Sequence, residues 1–249
     1  MPRSPRAWSG DPVPALALSR VTHGYPGGSA PVVEDLDLTV AEGEFLCVLG
    51  ASGSGKSTLL ALLAGLVEPL SGTVSRPEPR PALMFQEHAL FPWLTAGGNV
   101  EIALRLRGVP RSRWHAETER LLSLVRLDGV RDRPVHTLSG GMRQRVALAR
   151  AMAQGSSVLL MDEPFAALDA ITRDVLHEML TRVWREQRLT VVFVTHNVPE
   201  AVRLGTRIVL LASRPGRVAH AWQGGAPGTD SATITARLRE EVVRHARIG

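Results

Sequence analysis

The sequence predicts an α/β fold built on a parallel β-sheet, and three observations predict it. Apolar runs at residues 44–49, 157–161 and 190–195 are strand-sized and nearly free of polar side chains, the pattern of parallel strands covered on both faces. A glycine-rich turn follows the first run and opens onto helical residues 58–64. Groups capable of chemistry stand directly after the other two runs: Asp162 and Glu163 after the second, His196 after the third. That is the carboxyl edge of the sheet, where open α/β folds bind their ligands.

The turn is the most specific of these signals. It reads Gly50, Ala51, Ser52, Gly53, Ser54, Gly55, Lys56, Ser57, Thr58, the P-loop pattern Gly-x-x-x-x-Gly-Lys-Ser/Thr. Its glycines let successive backbone N–H groups point inward at a phosphate, and the following helix aims its positive end at the same anion. Lys56 is the only lysine in a chain with 29 Lys and Arg residues. A composition that otherwise uses arginine keeps lysine where a compact ammonium must fit against phosphates. Ser57 offers a hydroxyl to Mg²⁺, a hard cation that takes oxygen ligands. The loop by itself is shared by kinases, GTPases, helicases and transport ATPases.

Composition bounds the class. With 249 residues, 44% of them hydrophobic, the chain supports one large core or a core with a subdomain. No apolar stretch approaches the ~20 residues that span a bilayer. Residues 1–14 carry charge and proline without the continuous apolar segment of a secretory signal, which predicts a cytoplasmic chain. The single cysteine, Cys47, lies mid-strand and packs as a small hydrophobe, so no internal disulfide is expected. The net charge of +5 comes from arginines scattered among acids, and no direct nucleic-acid partner is expected.

Ser139, Gly140 and Gly141 open a second phosphate-seeking helix terminus, with Ser139 as the N-cap of a helix through residue 152. One nucleotide does not need two such cradles from one subunit. The physical solution is a head-to-tail homodimer, in which the cradle of one copy closes over the γ-phosphate held by the other's P-loop. Asp162 then holds Mg²⁺, and Glu163 is the candidate general base that orients the attacking water. His196 can hydrogen-bond the γ-phosphate, and the Gln86 amide can touch Mg²⁺ or that water. Tyr25, the only tyrosine, is placed to stack on adenine. Asp169 reads as a helix cap or as a residue of the dimer seam. The Phe91-Pro92-Trp93 segment is local core or a socket for a partner helix, with the partner favoured.

Together these residues resemble the ATP-binding subunit of ATP-binding-cassette (ABC) transporters, over about residues 18–218. In that family's terms Tyr25 resembles the A-loop aromatic, residues 50–58 the Walker A motif, Gln86 the Q-loop and residues 138–145 the signature. Residues 158–163 resemble Walker B, 167–169 the D-loop, and His196 the H-loop switch. Residues 91–95, 99–100, 195–201 and 213–217 are similar to the ATPases of importers for nitrate, sulfonates, taurine and thiamine-precursor pyrimidines. Asn197 stands where the family usually has Asp, and the connection between Gly72 and Phe85 is short and proline-rich.

The resemblance implies an ABC ATPase: a P-loop α/β core at about residues 12–86 and 157–220, a small antiparallel β subdomain, and an inserted helical subdomain at about 87–156. The periodicity of residues 116–125 fits a helix of that insertion, and the tail reads as one amphipathic helix at about 233–248. The expected activity is ATP hydrolysis with Mg²⁺, driving uptake of a small anionic or polar solute. The expected partners are a second copy, a membrane permease contacted near residues 86–93, and an extracytoplasmic solute-binding protein. The expected location is the cytoplasmic face of the membrane. Two other readings use the same engine: a different ABC transporter, and a soluble ABC ATPase acting on nucleic acid or ribosomes. The latter usually carries long coiled-coil insertions or two fused cassettes, which this chain lacks.

Overall fold

The computed structural model describes residues 14–28, 30–86, 89–213 and 215–246, with side chains through Val243. The arginine- and proline-rich leader and the last two residues of the expected tail helix lie outside the described residues.

Two sheets form the frame. Strands β1 (Leu16–His23), β2 (Val33–Val40) and β4 (Ser71–Ser75) make a three-stranded antiparallel sheet in the order β2-β1-β4. The larger sheet has six strands in the order β5-β6-β7-β3-β8-β9. Its members are β5 (Ala82–Met84), β6 (Val158–Asp162), β7 (Thr190–Val194), β3 (Phe45–Gly50), β8 (Arg207–Leu211) and β9 (Val218–Gln223). All its neighbours pair in parallel except β9, which runs antiparallel to β8.

Period-two alternation explains why the central strands are apolar throughout. Leu46, Val48, Leu160, Val192, Val194 and Val209 face one core, which they share with the antiparallel sheet and helix α1 (Lys56–Ala64). Phe45, Cys47, Leu159, Met161, Val191, Phe193 and Ile208 face the other, which the remaining helices cover. Helix α1 is therefore buried nearly all round. It ends at Gly65 in the left-handed conformation, where the N–H groups of Gly65 and Leu66 return to the carbonyls of Leu62 and Ala61.

The second core is built between β5 and β6 by α2 (Ala96–Leu106), α3 (Arg111–Leu124), a single 3₁₀ turn at Val135–Thr137 and α4 (Gly140–Ala153). Helix α5 (Ala170–Gln187) connects β6 to β7, α6 (Val198–Leu204) connects β7 to β8, and α7 (Ser231–Ala246) closes the described chain. Two helices begin earlier than the sequence pattern indicates. Helix α3 starts at Arg111 because Pro110 sets the entry, and its first turn is polar and exposed, so apolar periodicity misses it. Helix α7 starts at Ser231 because Asp230 caps it, accepting the Thr233 N–H at 2.9 Å. Its inner face is anchored by fully buried Ile234, with Leu238 beside it, while Val242 is 44% exposed. Among the described residues no helix is long and apolar enough to cross a membrane.

The register of the large sheet positions the chemistry. Asp162 on β6 pairs with Val194 on β7, and the Glu163 N–H donates to the Val194 carbonyl at 3.0 Å. The residues that follow the two strands, Glu163 and His196, are thereby delivered side by side next to the turn that leaves β3.

Candidate functional site

A cavity of about 450 Å³ opens at the carboxyl edge of the sheet. Ser52, Gly53, Gly55, Lys56, Ser57, Thr58, Gln86, Asp162, Glu163 and His196 line it, together with Val32. Ten of the residues singled out from the sequence thus share one wall.

The turn between β3 and α1 takes its shape from positions that need glycine. Gly53 and Gly55 have φ of 76° and 89°. A Cβ on Gly50 would meet Ser54 Oγ at 2.4 Å, and one on Gly55 would meet Val33 Cγ1 at 2.9 Å. Gly55→Ala therefore combines backbone strain with a steric contact, and we expect it to destabilise the chain by ~1–3 kcal/mol, read as a lower urea-unfolding midpoint. Ser54 supports the turn rather than lining it. Its side chain is fully buried, and its N–H donates to Ala51 O at 3.2 Å.

Lys56 Nζ donates to the carbonyls of Gly50 and Ala51, both at 2.9 Å. An ammonium has three donors, so one remains for the cavity. Burial pushes the Lys56 amine below its usual value, and the nearby Glu163 and Asp162 oppose that shift. Burial raises the Asp162 carboxyl, a hydrogen bond from Ser57 lowers it, Glu163 raises it and Lys56 lowers it. An anionic phosphate would relieve the desolvated ammonium. The Ser57 hydroxyl, Asp162 carboxylate and Gln86 amide present oxygens, the donor set that suits Mg²⁺ bridged to phosphate.

Glu163 has a φ of 43°, which an extended strand cannot continue, and the chain turns there. Its Oε2 lies 2.8 Å from His196 Nδ1. A carboxylate can only accept, so Nδ1 carries the proton and Nε2 is left for a ligand. The His196 side chain is 64% exposed and Glu163 only 19%. The carboxylate is sheltered behind an open imidazole.

The other expected residues surround this centre without lining it. Tyr25 is half exposed, sits edge-on to His23 at 5.1 Å, and lies 3.4 Å through its hydroxyl from Thr58 Oγ1. Ser139, Gly140 and Gly141 stand apart from the cavity at the start of α4, where Ser139 accepts the Met142 N–H at 3.2 Å. Gly141 packs so closely on α5 that a Cβ would meet Thr172 Cγ2 at 2.8 Å. Asp169 caps α5 through Thr172, at 2.9 Å to its N–H and 2.7 Å to its hydroxyl. Asn197 caps α6, accepting the Glu200 N–H at 3.1 Å, a task asparagine performs as well as aspartate.

Between Gln86 and α2 the chain presents Trp93, 76% exposed, with half-buried Phe91 against it at 5.5 Å. Fully buried Asn99 pins the segment, accepting the Phe91 N–H at 2.8 Å and donating to the Phe91 carbonyl at 3.2 Å.

Sequence reasoning missed a polar group directly beneath the site. Glu200 is buried, 2.6 Å from His177 Nε2 and 2.5 Å from Thr195 Oγ1. The three residues come from α5, α6 and the end of β7, and no local pattern joins His177 to the other two. Glu200, four residues after His196, offered the only signal, a carboxylate in an otherwise apolar helix turn.

The family described as ABC transporter matches residues 33–166. The taurine import ATP-binding protein TauB of Pseudomonas putida KT2440 is 46% identical over 210 residues, covering 82% of this chain and 80% of that protein. A protein of the same name from Mesorhizobium japonicum is 45% identical over 220 residues, 86% of each chain. Among solved structures, the dimeric MJ0796, a bacterial ABC transporter cassette, superposes with a TM-score of 0.73 at 30% identity, covering 85% of this chain and 99% of that one. A second MJ0796 dimer, in a post-hydrolysis state bound to ADP and Pi, matches equally well. The extent of the match and the identity to these relatives show that this chain belongs to the ABC transporter family.

Proposed function

We propose that the chain is the ATP-hydrolysing subunit of an importer that takes up a small anionic or polar solute, of the taurine and sulfonate kind, through a membrane permease. One observation carries the reading. Lys56, Asp162, Glu163, His196 and Gln86 converge on one cavity at the sheet's carboxyl edge, in a chain 46% identical to a taurine import ATP-binding protein.

In this reading the N–H groups of the turn and Lys56 hold the β- and γ-phosphates, and Tyr25 stacks on the adenine. Ser57, Asp162 and Gln86 hold Mg²⁺, which neutralises charge on the phosphates. Glu163 accepts a proton from the attacking water, and the bond from His196 Nδ1 keeps that carboxylate aimed. Ser139, Gly140 and Gly141 do not line their own subunit's cavity; in this reading they serve in trans and close over the nucleotide of a second copy. Trp93 and Phe91 form the apolar anchor for the permease on the cytoplasmic face, beside the Gln86 that senses the nucleotide. An extracytoplasmic binding protein delivers the solute.

The test is to tag the Glu163→Gln chain in its native cell, solubilise membranes gently in ATP, and identify what co-purifies. A multi-span permease and a solute-binding protein are the expected recovery. Ribosomal or DNA-bound partners alone would overturn import in favour of a soluble ATPase.

A further inference from the structure

Thr195 directly precedes His196. Its hydroxyl oxygen accepts the Asn197 N–H at 3.0 Å, closing a turn across His196. The same hydroxyl donates to Glu200, and the direction is forced because a carboxylate has no proton to give. Glu200 thus orients the Thr195 O–H so that its lone pairs face the Asn197 N–H. The other Glu200 oxygen accepts from His177 Nε2.

His177 links this bracket to the second strand end. Its ring lies 5.5 Å from Phe165, two residues beyond Glu163. The chain segments that carry Glu163 and His196 are therefore tied from behind, one through a ring contact and the other through two hydrogen bonds. The arrangement is expensive as a mere prop. His177 and Glu200 are nearly fully buried, and His177 Nδ1 has no hydrogen-bond partner, the nearest carboxylate being Asp174 at 4.0 Å. Apolar residues of similar volume commonly stabilise such a site as well or better.

We propose that Thr195, Glu200 and His177 are positioning residues that hold the His196 imidazole against Glu163. The inference rests on the roles given above to Glu163 and His196. None of the three touches the cavity, so they act on turnover through His196 and leave nucleotide contacts alone.

The test compares isosteric and conservative variants in ATPase assays on the purified full-length chain, with long-range ¹H–¹⁵N spectra of the histidine rings. Thr195→Val removes the hydroxyl at constant shape and is expected to lower kcat ~10–100-fold, with KM for ATP unchanged within about twofold. It should also shift the His196 ring resonances. Thr195→Ser, which keeps the hydroxyl, should restore both. On the other side of Glu200, His177→Leu should lower kcat while His177→Gln, which keeps a donor, should preserve it; this pair decides the matter if Thr195→Val does not fold. Wild-type kcat and unmoved His196 resonances in Thr195→Val and His177→Leu, with Glu163→Gln and His196→Ala inactive, would overturn the positioning device alone. Full turnover in Glu163→Gln and His196→Ala would remove the catalytic reading, and the device with it. Equal losses in the Ser and Val variants, or in the Gln and Leu variants, would mark a purely structural role and overturn it as well.

Discussion

Glu163→Gln is expected to lower ATP turnover by ~10²–10⁴-fold, the range that a positioned general base supplies, while nucleotide still binds. The substitution changes little except the chemistry. Glutamine matches glutamate in shape, and the N–H that fixes this residue to Val194 O belongs to the backbone. What is lost is the ability to take a proton from water. The carboxylate also accepts from His196 Nδ1, and a glutamine oxygen can still do so, leaving the imidazole in place. ATP that binds without being consumed should hold two copies together, so the variant should run as a dimer in ATP and Mg²⁺ and as a monomer in ADP. Size-exclusion chromatography with light scattering, beside a phosphate-release assay, reads both parts. Undiminished turnover would remove Glu163 from the catalytic role.

The site was legible in the sequence wherever its geometry is local. The turn at residues 50–58 announces itself because phosphate cradling demands glycine at fixed intervals, and the structure places φ of 76° and 89° at two of them. Asp162, Glu163 and His196 could be placed because parallel strands end together at one edge, and the pairing of Asp162 with Val194 realises that. The assignment of β3, β6 and β7 was equally direct, since burial on both faces leaves an uninterrupted apolar run; the other strands lack that signal and were not individually assigned.

The remainder depends on contacts that sequence spacing does not encode. His177 and Glu200 meet across 23 positions; His177 alone reads as an ordinary helix-surface residue, and the one signal at Glu200, a carboxylate in an otherwise apolar turn, names no partner. Ser54 sits inside the P-loop motif, yet close packing against Gly50 turns its side chain inward. Helix starts slipped where polarity replaced periodicity, at Arg111 and Ser231, because a proline or a capping carboxylate sets those boundaries. The antiparallel sheet has three strands in the order β2-β1-β4, with β4 a largely exposed edge.

Lys56→Ala is expected to weaken ATP binding by at least ~10²-fold, about 2.7 kcal/mol, and to abolish measurable turnover. Three losses act in one direction. The phosphates lose a charge-assisted donor, worth ~1.5–3 kcal/mol. The carbonyls of Gly50 and Ala51 lose the ammonium that now bridges them, so the empty turn is itself less well held. Asp162 and Glu163 remain without the nearby cation and repel the incoming triphosphate. Lys56→Arg separates charge from shape. It restores the positive charge, but a planar guanidinium cannot take up the compact position between two carbonyls that the ammonium occupies. We expect Lys56→Arg to bind ATP better than Lys56→Ala, because the repulsion is relieved, and still to turn over at least ~10-fold more slowly than the native chain. Isothermal titration with ATP·Mg²⁺ and a steady-state phosphate assay measure the two effects separately. Native turnover in Lys56→Arg would show that charge alone suffices, and the retention of one lysine in an arginine-only background would then have no basis in the site.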